Sequence, residues 1–141
     1  MKKATRMLAL VLTMMPLFAA AQLQRDTRIV TNVPFDFMVA NKSVSAGEWI
    51  LQSASDGGRT LLLNNKDART SLFSGASEQI SKQPAGADAL VFHKYGDRYF
   101  LAAVKLAGSR TMYRISASKA EAEMIARNET ATETILLASV K

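Results

Sequence analysis

The chain has no cysteine, a single histidine and a single tryptophan among its 141 residues, and only three prolines. Without cysteine there is no disulfide, no thiol nucleophile and no lipid-bearing residue of the bacterial lipoprotein kind. With His93 alone, a zinc or copper site would have to draw its other ligands from carboxylates. No nucleophile elbow is present, and Gly57-Gly58 runs into Arg59 and a strand rather than a helix, so it is not a phosphate loop. These gaps leave few ways to assemble a catalytic constellation. No catalytic residue, no metal and no cofactor is therefore expected.

Long apolar runs are scarce as well. The one at Met7 to Ala19 is 13 residues, short of the roughly 18 that a spanning helix needs, so no membrane span is expected. Lys2, Lys3 and Arg6 precede it and Ala19-Ala20-Ala21 follows, which together form a secretory signal with cleavage expected after Ala21. Removing residues 1–21 from the 141 leaves 120 residues, enough for one β-rich domain at 22–141. The signal also takes three of the 18 basic residues with it, which lowers the net charge from +6 to +3. So small an excess does not call for nucleic acid or an anionic membrane as partner. The expected location is periplasmic or secreted.

What is present is mostly strand signal. Leu90 to Lys105 holds two apolar runs joined at Tyr95-Gly96-Asp97-Arg98, where Gly and Asp suit a two-residue II′ or I′ turn. That register sets Tyr95 opposite Arg98 and His93 opposite Phe100, with Val104 on the His93 face and Ala103 on the Phe92 face. Both faces are apolar towards the open end, so the hairpin is expected to be covered on both sides. Val33, Phe35, Phe37 and Val39 alternate as a half-buried strand does, interrupted at Pro34. Asn41-Lys42 marks a turn, Glu48 to Ser53 a strand, and Leu61-Leu62-Leu63 a strand buried on both sides.

Gly75 to Asp88 shows no period and reads as a long loop, of a length that is often functional. Thr111 to Ile115 is extended again. Ser118-Lys119-Ala120-Glu121 fits a capping box, in which Glu121 reaches back to the Ser118 N–H, and it opens a helix running towards Asn128 with Ala117, Ala120 and Met124 inward. Thr130 to Val140 closes the chain as a strand. The fold class expected is all-β: an antiparallel sandwich or small barrel of about seven or eight short strands, with one short helix before the last. An outer-membrane barrel is set aside, because the strands are short, aromatics are 7% and the chain ends in Val140-Lys141.

Three stretches, VPFDFMVANKSVSAGEW at Val33 to Trp49, LVFHKYGDRYFLAAV at Leu90 to Val104 and SKAEAE at Ser118 to Glu123, resemble a group of small exported bacterial proteins with no assigned function. The resemblance implies a shared fold and an exported location, and it brings no activity or cofactor with it. For binding, the candidates are Tyr95, Asp97, Arg98 and Tyr99 at the hairpin tip, since aromatic and charged groups recur at recognition surfaces. His93 is expected to be a structural strand histidine. The function expected is a non-enzymatic exported β-domain that binds an envelope protein or a glycan, or supports an envelope structure. The alternative is a small hydrolase acting on envelope glycans through carboxylates such as Asp36 and Glu48.

Overall fold

A computed structural model describes residues 28–138 apart from positions 56 and 58. The segment at 1–21 expected to be an export signal and two positions of the turn at 55–58 lie outside the described residues. Among the described residues the chain is mostly β, with ten strands in one mixed sheet and one short helix before the last strand. β1 (Arg28–Val33), β4 (Gly47–Ser53), β5 (Thr60–Asn65) and the first half of β6 (Thr70–Ile80) form an antiparallel run. Past Gly75, β6 leaves β5 and pairs instead with β9 (Thr111–Ile115), so one long strand turns the corner between the two halves.

The second half continues through β8 (Arg98–Lys105), β7 (Ala89–Tyr95) and β10 (Thr132–Leu137). β2 (Phe37–Val39) and β3 (Lys42–Val44) join it through a parallel bridge from Met38 to Phe100, the contact that makes the sheet mixed. The two ends of the sheet meet where the Thr31 hydroxyl donates to the Leu137 carbonyl at 3.4 Å. No ladder joins them, so the sheet is not closed and its halves enclose the core as the layers of a sandwich do.

Alternation along the strands fills that core. Val33, Phe37 and Val39 point inward from the first stretch, Trp49 and Leu51 from β4, and Leu90, Phe92, Leu101 and Val104 from the central hairpin. The strand breaks after Val33 because Pro34 cannot donate to a ladder. Asp36 then holds the crossing in place, its Oδ1 accepting the Ala46 N–H at 2.8 Å. Ala40 and Asn41 both have positive φ, so this hairpin turn lies one residue earlier than the Asn41-Lys42 signal placed it.

The central hairpin has the expected register at its tip, with Tyr95 opposite Arg98 and His93 opposite Phe100. Gly96 sits at φ 58° and Asp97 is not among the positive-φ residues, which is the II′ arrangement. Nothing lies within 4 Å of a Cβ built on Gly96, so a substitution there meets conformational strain and no clash. Gly96→Val is expected to lower stability by about 1–3 kcal/mol, read as a shift in the urea midpoint; an unchanged midpoint would refute the strained turn.

Four expectations need correction. A bulge beyond Phe92 leaves Ala102 between the Phe92–Leu101 and Val91–Ala103 pairs, which exchanges the faces of Ala103 and Val104 and brings Val104 into the core. Leu62 is only half-buried between the buried Leu61 and Leu63, because it faces out of the sheet. Gly75 to Ile80 is strand rather than loop: its polar residues stand exposed, and backbone pairing with β9 holds them. Ala117 is exposed, lying before the helix rather than on its inner face.

The helix α1 (Lys119–Ala126) covers the outer face of the hairpin, where Met124 packs with Tyr95 and Phe100. At eight residues it is too short to persist alone. Both ends are fixed. Ser118 Oγ accepts the Glu121 N–H at 3.2 Å, and Asn41 Oδ1 accepts the Lys119 N–H at 2.8 Å. At the other end Asn128 takes φ 58°, with Glu129 N–H donating to the Met124 carbonyl and Asn128 N–H to that of Ile125, the paired bonds of a Schellman cap.

Candidate functional site

The hairpin tip carries Tyr95, Asp97, Arg98 and Tyr99, and alternation sends the two tyrosines to opposite faces of the sheet. Tyr99 lies flat on Phe35, ring centroids 3.7 Å apart and planes at 12°, with the Lys94 ammonium 5.3 Å from its ring centre. Tyr95 is buried under α1. Arg98 is exposed, yet its guanidinium lies 5.4 Å from the centre of the Phe100 ring and donates to Met38 Sδ at 3.2 Å. Asp97 stands in the turn, facing solvent. The tip thus brings the four residues near one another in the chain without joining the two rings into one stacking platform.

A polar cluster lies beneath the helix. Glu121, 4% exposed, accepts a hydrogen bond from His93 Nδ1 at 2.7 Å and a longer one from the Tyr95 hydroxyl at 3.4 Å. His93 is the more open partner, its side chain 27% exposed. Glu121 therefore does not complete the capping box; its backbone N–H bonds the Ser118 hydroxyl while its side chain turns inward. This acceptor was missed in the sequence, although a signal for it exists. Glu121 lies beside Ala120 and three residues before Met124, on the inward stripe of the helix, and a carboxylate placed there needs a donor from the sheet.

All three stretches that carry the resemblance meet at α1: Asn41 from the first, His93 and Tyr95 from the second, Ser118 and Glu121 from the third. Their shared task is to seat the helix on the hairpin.

Burial raises the pKa of Tyr95 above its ordinary 10.0, and the negative charge of Glu121 beside it and the hydrogen bond to Glu121 act in the same direction, as does Glu129 more weakly. Because the folded protein then holds this proton more tightly than the unfolded chain, the stabilisation is complete below pH 10 and is lost as pH rises through the raised value. Tyr95→Phe is expected to cost about 0.5 kcal/mol at neutral pH, the low end for a hydrogen bond because this one is long. It should also flatten the fall in melting temperature between about pH 9 and pH 11. A fall as steep as that of the unaltered protein would show that Tyr95 is not the group responsible.

A third feature is a shallow cleft of about 370 Å³ between the Ser81–Asp88 loop and the residues after β8. The loop is well fixed. Ser81 N–H donates to the Arg110 carbonyl at 2.8 Å, Ala85 N–H to that of Ser109 at 3.0 Å, and Gly108 N–H to that of Ala85 at 2.8 Å. Asp88 Oδ1 accepts the Ala107 N–H at 2.7 Å. Lys82, Pro84, Lys105, Ser109, Thr111 and Met112 are among the residues that line the cleft.

Of the carboxylates named for glycoside chemistry, Asp36 has an oxygen committed to the Ala46 N–H, and Glu48 sits half-buried on β4 across from Asn32. Among the described residues, no group of three or more His, Cys, Asp or Glu side chains could hold a metal ion, and no helix is long and apolar enough to cross a membrane. Comparison with protein-family models, with curated proteins and with solved structures gave no match.

Proposed function

We propose that the chain is an exported, non-enzymatic binding domain of the bacterial envelope, periplasmic or secreted, and that it holds an envelope glycan or protein at the Ser81–Asp88 end of the sheet. One observation carries this reading: a loop fixed by backbone bonds to 108–110 forms one wall of an open cleft. A rigid sheet that presents a preorganised loop is the usual arrangement of a recognition surface. The hairpin tip is the weaker surface, because its tyrosine rings are engaged within the fold. The secretory pattern at 1–21 supports export.

A glycan array run beside capture from envelope extract tests the reading. Retention of a defined glycan or protein that falls in a Lys82→Ala, Gln83→Ala variant and survives Arg98→Ala at the tip is the expected result. Turnover of an envelope polymer that vanishes with Asp36→Asn, while the fold survives, would overturn it in favour of a hydrolase.

A further inference from the structure

The cleft beside the Ser81–Asp88 loop has a chemical character that the binding reading leaves open. Lys82 and Lys105 both line it. On the outer face of the sheet the neighbouring cross-strand rows are Lys105, Met112 and Gln79, then Ala103, Arg114 and Ser77. Two of these six are cations and none is a carboxylate. Arg114 reaches only the neutral Gln79, donating to its side-chain oxygen at 3.4 Å.

The nearest acidic residues in the chain face other ways. Asp88 is bonded to the Ala107 N–H, and Glu78 lies across from Tyr113 on the opposite face of β6. Among the described residues neither cleft lysine has an acidic partner. An uncompensated pair of ammonium groups in a concave site concentrates positive potential there. Hydroxyls and apolar atoms share the lining of the cleft: Ser109 and Thr111 together with Pro84 and Met112. That mixture suits a sugar ring, whose edge is polar and whose face is apolar. A volume of about 370 Å³ is at the small end for ligand sites, roughly 300–1,000 Å³.

We infer that this cleft binds an anionic glycan, with Lys82 and Lys105 meeting its carboxylate or phosphate groups and Pro84 and Met112 meeting the ring. The inference rests on the binding function proposed above and specifies its ligand. Because the cleft is open rather than enclosed, it takes a unit within a longer polymer.

Titration with polygalacturonate, a mannose-phosphate polymer (phosphomannan) and neutral dextran tests it and separates the carboxylate source from the phosphate source. One polyanion should bind, dextran should not, and Lys82→Ala and Lys105→Ala should each weaken binding about tenfold, the loss of one charge-assisted hydrogen bond. Lys42→Ala with Lys119→Ala removes the same total charge as Lys82→Ala with Lys105→Ala, far from the cleft, and should leave affinity within about twofold. Lys105→Gln keeps the side-chain stem, so a fold damaged by Lys105→Ala would be recognised by its recovery there. Equal weakening by the distant pair would overturn the inference, since the attraction would then be unspecific. Lysine-independent binding of a neutral glycan would overturn it while leaving the binding function standing. Absence of any glycan or protein ligand would remove both.

Discussion

Replacing Phe92 with alanine is expected to lower the unfolding free energy by about 3–5 kcal/mol, the range for deleting a large buried aromatic side chain. Phe92 is fully buried, and its ring meets Phe35 at 5.1 Å and Phe37 at 5.2 Å, both edge to face. Phe37 in turn meets Trp49 at 5.4 Å, so the cavity would open in the middle of a connected aromatic set. Edge-to-face pairs add to simple burial, about 0.5–1.5 kcal/mol each. A domain of this size has only about 5–15 kcal/mol of stability in total. The variant should therefore melt lower by roughly 10–20 °C or fail to fold. Phe73→Ala is the control, because Phe73 is 63% exposed on the outer face of the sheet and should change stability by no more than about 0.5 kcal/mol. Equal losses in the two variants would show that the core is not centred where the register places it.

Much of that core could be read from the chain. Val33, Phe37 and Val39 announced themselves by alternation, and Gly96 by its turn chemistry, since both signals come from near neighbours in sequence. The second half of β6 gave no signal, for a physical reason. Ala76 to Ile80 is held by backbone bonds to β9, and backbone pairing needs no particular side chain. The bulge at Ala102 was equally silent: in a run of Leu101, Ala102, Ala103 and Val104, every residue is apolar and none marks the slip.

The site was less legible than the fold. Tyr95 and Tyr99 look alike in sequence, yet one is sealed by α1 and the other by Phe35. What covers each ring comes from elements 26 and 64 residues away, at Glu121 and Phe35. Periodicity carries no information at that range. His93 shows the same limit: Asp97 is close in sequence, but the partner is Glu121, |i−j| of 28, brought there by the helix crossing the hairpin.

That partnership yields the second large effect, and its asymmetry is the test. His93→Ala removes the short bond at 2.7 Å and leaves the Glu121 carboxyl, 4% exposed, with only the long contact to Tyr95. Stranding a buried charge by deleting its partner costs about 3–5 kcal/mol, and the remaining phenol places this case near 3. Glu121→Ala strands His93 instead, whose side chain is 27% exposed and can be hydrated, so about 1–2 kcal/mol is expected. The smaller truncation should thus do the lesser damage even though it removes the hub of the cluster. In the double variant nothing is left stranded except the Tyr95 hydroxyl, and the total cost should lie close to that of Glu121→Ala alone, with a coupling of about 3 kcal/mol, the size of the His93→Ala loss. Amide exchange in Lys119–Ala126 should quicken most in His93→Ala, because that helix is held chiefly by what it docks on. If the two single losses simply add, or if Glu121→Ala proves the costlier, then the carboxyl is not the buried member of the pair and α1 does not seat on the hairpin through it.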